Sequence, residues 1–479
     1  MTLLERSTDL NQVFPSEPAP QASGRGRLIL NVVWAVLLVI VLGVYAYGLH
    51  LFYAPATTHP DANGYWAQGT RFMEAGHTWF RPESNAQYIG MHWLMSDRDN
   101  SVFLSRYPPG LPVLIGVVWK LFGWEATTLI NPVLAVMTLL GVFLIVARIA
   151  GGGWGLVAVA ALAVNAPFTV HALSNISHMP VAFCLVWGLY LLMRWSASGR
   201  IAYVFVAGLV LGCIPTIRYP DAIIAIGVIV FLLWHWRGFP KIGRHYAAAA
   251  IGALIPVTPM LIRNQLLLGG FWRTGYALTN EQTGFSWDYF TDHFAPYLQS
   301  LHGSALGMMF AFGLIGLIWM LCIRQHRAFA AMLMLASLPF LLLYMAYYWA
   351  MGVGGGGGGM MGGVGGSLRF LVPFVPIYVI AGAWALGAFT RPAPVVVRVA
   401  VPLLAIGTYT LAYGPALLNE LREQRDRKVP LALATQGLKE VINDGDIVVA
   451  ASGFLQHLDY VGGMKLADPS LVASRGGFG

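Results

Sequence analysis

The sequence predicts an all-α protein that crosses a membrane many times. Its composition is 57% hydrophobic and 10% charged, with a mean hydropathy of +0.64, values outside the range of a soluble globule. The apolar residues gather into long runs, and a span needs about 20 of them. The few charges fall almost entirely between those runs. A formal charge of +8 therefore reads as topology-setting Lys and Arg in short loops, not as a nucleic-acid surface.

The first 24 residues are polar, and the run 28–51 is too long for a cleaved leader, so it reads as an uncleaved first span after a disordered cytoplasmic tail, 1–27. Ten further runs follow: 127–148, 154–172, 179–195, 201–217, 221–236, 246–265, 303–323, 328–349, 368–388 and 394–415. The segment 108–122 is shorter, opens Pro-Pro-Gly-Leu-Pro and carries Lys120. Charge parity decides its place. With eleven spans the inner loops hold Arg148, Arg194, Arg200, Arg237, Lys241, Arg244, Arg324, Arg327, Arg391 and Arg398, and no Asp or Glu. A twelfth span at 108–122 would turn all of these outward, against the positive-inside rule. The segment is expected as an interfacial or re-entrant helix within a first outer loop, 52–126. The loop 266–302 and a Gly-rich loop, 351–367, share that face.

Beyond the last span, Asp446–Ala451 and Met464–Asp468 read as strands, with a short helix near Phe454–Tyr460. The segment 416–479 is expected to be a small outer α/β domain. Its chain is too short to bury a core alone, so the expectation is an incomplete domain. Cys184, Cys213 and Cys322 sit in or beside apolar runs without CxxC or Cys/His spacing, so neither a disulfide framework nor a zinc site is expected.

The chain keeps 21 acidic residues in all. Five of them, Asp61, Glu74, Glu83, Asp97 and Asp99, lie between His59 and Gly110. A polar insert between hydrocarbon-soluble helices is a natural place for chemistry. The same face receives His178, Arg218, Asn264, Tyr276 and Arg369 at the ends of later spans, and ionisable groups at such positions are candidates for function. A carboxylate facing a cavity can act as general base on an acceptor hydroxyl. Arginines beside it can hold a phosphate leaving group. Asp97-Arg98-Asp99 is read as solvated surface, and no metal or other cofactor is expected.

The order of short motifs resembles the GT-C glycosyltransferases of the dolichyl-phosphate-mannose protein mannosyltransferase type (glycosyltransferase family 39-like), which include the bacterial aminoarabinose transferases. The carriers are Asp61 with Tyr65, Tyr107-Pro108-Pro109-Gly110-Leu111-Pro112, Arg148 before Gly-Gly-Gly, Thr216-Ile217-Arg218-Tyr219-Pro220, Asn264 with Gly269-Gly270 and Gly275-Tyr276, and Arg369-Phe370-Leu371-Val372-Pro373. The resemblance covers most of 28–388. It implies a GT-C-like bundle and inverting transfer of a hexose or pentose from a polyprenyl-phosphate donor to a lipid, glycan or protein acceptor. It further implies Asp61 as base and Arg369 on the donor phosphate; beside them His178 is a candidate catalytic residue, Arg218 a second candidate for the donor phosphate, and His59, Tyr65, Tyr107, Asn264 and Tyr276 are candidates around the substrate. Ala62 stands where many members have Glu, and His178 where many have a second Asp. The expected location is the cell (inner) membrane, with a cytoplasmic N-terminus and an extracytoplasmic active site. Two rival readings are a transporter of lipid-linked substrates and a non-catalytic lipid-binding member. The first calls for inverted repeats and mid-span charges. No repeat is evident, and the charges sit at span ends.

Overall fold

The structure, a computed structural model, describes residues 24–56, 60–88, 90, 92–348, 368–443, 445–458 and 465–470. The tail 1–23, His59 and the Gly-rich loop 351–367 lie outside the described residues. Helices dominate, because an apolar chain in lipid must satisfy its backbone groups within each segment. In order they are α1 (Gly24–Phe52), α2 (Pro60–Ala75), α3 (Gly110–Phe122), α4 (Trp124–Thr127), α5 (Ile130–Ala150), α6 (Gly152–Ala163), α7 (Ala166–Ala172), α8 (His178–Ser198), α9 (Ile201–Ile217), α10 (Ile224–Trp234), α11 (Ile242–Leu268), α12 (Trp287–Ser300), α13 (Met308–Cys322), α14 (Arg327–Met345), α15 (Val375–Thr390), α16 (Val395–Val441) and α17 (Ser452–Leu455).

Among the described residues, seven helices are long and apolar enough to cross a membrane, or nine if two bent pairs each count as one span. Those pairs are α6 with α7, bent by 70°, and the α12–α13 region, bent by 106°. The helices 201–217 and 219–234 are apolar but shorter. Every apolar run expected to span is thus helical, although four of the eleven are bent or short. At the α6–α7 bend, the Asn165 side chain accepts from the Phe168 amide at 2.9 Å and so caps the second helix. Small residues let neighbouring helices touch. A Cβ on Gly208 of α9 would lie 2.2 Å from the Ala249 carbonyl oxygen of α11, and one on Gly316 of α13 would lie 2.2 Å from that of Ala381 of α15.

The segment 108–122 forms the helix α3 of 13 residues, roughly 20 Å long. It lies along α2. A Cβ on Gly69 would meet Ile115 at 2.6 Å, and one on Gly116 would meet Phe72 at 2.7 Å. Between α2 and α3 run three short strands, β1 (Trp79–Phe80), β2 (Trp93–Met95) and β3 (Phe103–Ser105), in the antiparallel order β1-β3-β2. These strands leave no sign in the sequence of the expected first outer loop, because strands of two or three residues show too little alternation to read.

The last long helix, α16, is longer than expected. The charged stretch Glu420–Lys428 continues α16 instead of following it, and Pro402, Pro415 and Pro430 lie inside the helix. Long straight side chains favour helix, and two of them dock on the bundle. Gln424 Nε2 donates to the Val170 carbonyl at 3.2 Å and to Ser174 Oγ at 2.9 Å. The buried Lys428 ammonium donates to the Leu173 carbonyl. Farther on, β4 (Ile447–Val449) and β5 (Lys465–Ala467) pair in parallel, at the two places where strands were expected.

Candidate active site

Asp61 is the second residue of α2. Pro60 suits the first helical position, and the helix N-terminus favours a carboxylate there. Tyr65, one turn on, shares its face. Its ring stacks on Tyr107 with centroids 4.5 Å apart, and its hydroxyl donates to Ser177 Oγ at 2.9 Å. The intervening Gly64 has a packing reason, since a Cβ there would lie 2.7 Å from the Tyr107 ring.

Three groups converge on the carboxylate. The Tyr107 hydroxyl donates to Asp61 Oδ1 at 2.7 Å. His92 Nε2 lies 3.2 Å from the same oxygen, and Arg369 Nη2 lies 3.3 Å from Oδ2. The β2–β3 ribbon supplies the first two. His92 precedes β2 and Tyr107 follows β3, and the Arg106 amide donates to the His92 carbonyl at 3.1 Å. Asp61 and Arg369 side chains are each 15% exposed, so the pair is accessible from one side.

That side opens into a cavity of about 890 Å³. Asp61, Tyr65, Tyr107, His178, Arg218, Tyr276 and Arg369 all line it. His178 caps no helix. Both of its ring nitrogens are buried without a hydrogen bond among the described residues, and the rings of His171 and Phe370 stand 5.4 and 6.0 Å away. Arg218 is buried and donates to Asp221 Oδ2 at 3.1 Å, to the Phe370 carbonyl at 3.3 Å and to the Tyr344 hydroxyl at 3.2 Å.

Asn264 departs from its expected place. It is buried outside the cavity lining and accepts from Arg263 at 3.4 Å. Both residues lie behind Tyr219, whose ring does line the cavity and meets Tyr276 edge-on at 5.7 Å. The last turns of α11 point Asn264 toward the Tyr219 turn.

Sequence reasoning missed several lining groups. His92 and Arg106 were visible in the loop but carried no distinguishing spacing. Glu281 receives a hydrogen bond from the Tyr347 hydroxyl and lies 3.7 Å from Arg106. Glu420, Glu423 and Arg427 reach the cavity because α16 continues past the bundle. Asp97 and Asp99 pair with Arg273 and Arg81 on the surface. Among the described residues no three His, Cys, Asp or Glu side chains cluster as a metal site.

Burial raises the phenols of Tyr65, Tyr107 and Tyr276 above their ordinary 10, and neighbouring negative or phenolic groups add to the effect. All three are therefore neutral hydrogen-bond donors at physiological pH. Burial opposes the Arg106 charge, but Tyr107, Asp61 and Glu281 outweigh it and raise its pKa.

Residues 106–262 match the family model for dolichyl-phosphate-mannose-protein mannosyltransferase. No curated protein matches the chain by sequence. Among solved structures, ArnT from Cupriavidus metallidurans bound to undecaprenyl phosphate superposes with a TM-score of 0.62 at 14% identity, over 92% of this chain and 88% of ArnT. The apo state of ArnT gives 0.58 at 13% identity, over 93% and 86%. The oligosaccharyltransferase AglB from Archaeoglobus fulgidus, in complex with an inhibitory peptide and a dolichol-phosphate, gives 0.53 at 14% identity, over 91% of this chain and 65% of AglB. The chain is thus a polytopic membrane protein with the GT-C glycosyltransferase fold, similar to the ArnT and protein mannosyltransferase type.

Proposed function

We propose that the chain is a membrane glycosyltransferase that moves a sugar from a polyprenyl-phosphate donor to an acceptor hydroxyl, with inversion, in a cavity on the extracytoplasmic side of the cell membrane. The carrying observation is the Asp61 carboxylate, 3.3 Å from Arg369, opening into a large cavity that is also lined by Arg106 and Arg218. The fold likeness to ArnT and AglB and the family match over 106–262 support the class of reaction and the lipid-phosphate donor.

Asp61 takes the proton of the acceptor hydroxyl. The acceptor oxygen bonds to the anomeric carbon on the face opposite the phosphate. The bond from that carbon to the phosphate oxygen breaks, and its electron pair leaves on the polyprenyl phosphate. Arg369, with Nη2 3.3 Å from Asp61 Oδ2, turns part of its fork to the donor phosphate. Arg218, held by Asp221, adds a second fixed cation. Tyr107 and His92 orient the carboxylate. Tyr65, Tyr276 and His178 face the sugar or acceptor, and His178 offers ring nitrogens with no hydrogen-bond partner among the described residues. Glu420, Glu423 and Arg427 of α16 line the same cavity.

The test offers purified protein in proteoliposomes a panel of undecaprenyl-phosphate sugars carrying mannose, glucose or aminoarabinose. Turnover of one donor by the wild-type chain, and its loss in Asp61→Asn, is the expected result. Near wild-type turnover by Asp61→Asn sinks the assigned base. Donor binding without turnover by the wild-type chain selects the non-catalytic reading.

A further inference from the structure

The segment between β1 and β2 links two parts of the molecule that the reaction scheme treats separately. At one end, Gln87 bridges antiparallel to Ala467. The Tyr88 amide donates to the Leu466 carbonyl at 2.9 Å, and the Asp468 amide donates to the Ala86 carbonyl at 2.9 Å. The first outer loop therefore adds a strand-like edge to the β4–β5 pair, the mode in which main-chain bonds capture an extended segment. Tyr88, 5% exposed, fills a small core with Leu455, Leu458 and Leu466. Lys465 pairs with Glu83 at 3.4 Å on the surface, with both side chains more than half exposed, a contact of little energetic weight.

At its other end, the segment meets Asp61. Gly90 has φ +95, and a Cβ there would lie 2.2 Å from Asn63 Oδ1. The backbone thus rests directly on the helix turn that carries Asp61, where a side chain has no room and a positive φ favours glycine. His92 follows, with Nε2 3.2 Å from Asp61 Oδ1. Three residues lie between the Tyr88 anchor and the imidazole beside the carboxylate, and Gly90 is the described one among them.

We propose that the β4–β5 pair is a clamp that sets His92 against Asp61, and that Tyr88 is its positioning residue. The geometry carries it: a buried aromatic anchor with main-chain bonds on one side, and a glycine contact with the Asp61 helix on the other. The unit after α16 then governs turnover without touching substrate. This inference rests on the assignment of Asp61 as base, so its test has one readout that does not depend on activity.

The first measurement is hydrogen–deuterium exchange of the full chain in nanodiscs. Tyr88→Ala should raise exchange in peptides covering 92–107 while the bundle helices stay protected, and Tyr88→Phe should leave them near wild type. The second is kinetics with the undecaprenyl-phosphate sugar that the wild-type chain turns over. Tyr88→Ala should lower kcat about 10-fold with KM for the donor within about twofold, because a misplaced base affects the transition state more than binding. In a His92→Gln background the same change should cost no more than about twofold further, since the two act as a unit. Unchanged exchange at 92–107, or a loss that adds in full to that of His92→Gln, overturns the clamp. Absence of turnover by the wild-type chain would overturn the assigned reaction, while the exchange result would still decide the mechanical part.

Discussion

Two acid–arginine pairs stand within the same end of the bundle and differ in one respect. Arg218 and Asp221 are nearly buried, with side chains 5% and 0% exposed, and only the edge of Arg218 reaches the cavity. Asp61 and Arg369 are each 15% exposed and face the cavity. Removing two charges from water costs several kcal/mol per ion, and only good geometry repays it. The closed pair has such geometry, with Tyr344 and the Phe370 carbonyl taking further guanidinium protons, and it acts as a brace between the α9–α10 turn and the segment before α15. The open pair spends its solvent-facing side on whatever enters the cavity. The contrast teaches that an acid and an arginine in one site are not equivalent evidence for chemistry, and that access separates brace from base.

The largest expected effect breaks the open pair. Asp61→Asn should lower turnover of the polyprenyl-phosphate donor by about 10²–10⁴, the range of a lost general base, with circular dichroism and gel-filtration profile retained. If turnover and stability fell together, Asp61 would be a second brace and the contrast would collapse. The converse change, Asp221→Asn, leaves a buried arginine without its counter-charge and should destabilise the fold by about 3–5 kcal/mol. Thermal unfolding in detergent reads this. The double change Arg218→Met with Asp221→Leu should recover most of that stability while weakening donor binding, so the two measurements divide the role of Arg218.

A smaller effect sharpens how Asp61 is held. Tyr107→Phe removes a hydrogen bond to a charged group, worth about 1.5–3 kcal/mol, and should lower kcat more than it raises the donor KM. A change in KM alone would place Tyr107 on the substrate instead. The phenols provide a pH test. Tyr65, Tyr107 and Tyr276 have folded values above 10. Below pH 10 both folded and unfolded chains keep these protons. Above it the unfolded chain loses them first, so stability falls as pH rises. The melting temperature should drop between pH 9 and 11, and less so in Tyr276→Phe. Smallest of all, Lys465→Ala removes an exposed ion pair and should cost less than about 1 kcal/mol in the same melting assay.

Much of the fold was legible because lipid imposes one rule along the whole chain. The run 28–51 and the later runs had to be helices. The segment 108–122, expected as a short interfacial or re-entrant helix, forms the 13-residue helix α3 along α2. The convergence of Asp61, Tyr107, His178, Arg218, Tyr276 and Arg369 on one cavity followed from the alternation of spans. For instance, α8 begins at the cavity with His178 and runs roughly 30 Å to Arg194 and Arg200 at its far end. What was not legible depended on local contacts of low sequence signal. Short strands β1–β3 have no readable period, Asn264 turned behind Tyr219, and nothing marked His92 among the loop histidines.

The sequence by itself determined the class of molecule, its helix order and the face on which its acids gather, since composition, run length and charge placement answer to the membrane alone. Only the tertiary structure decided which arginine braces and which one meets Asp61. Arg218 and Arg369 are alike in sequence, each at a helix end beside an aromatic residue. They differ in burial and in the carboxylate within reach, quantities set by how separate helices pack and not by any residue's neighbours along the chain.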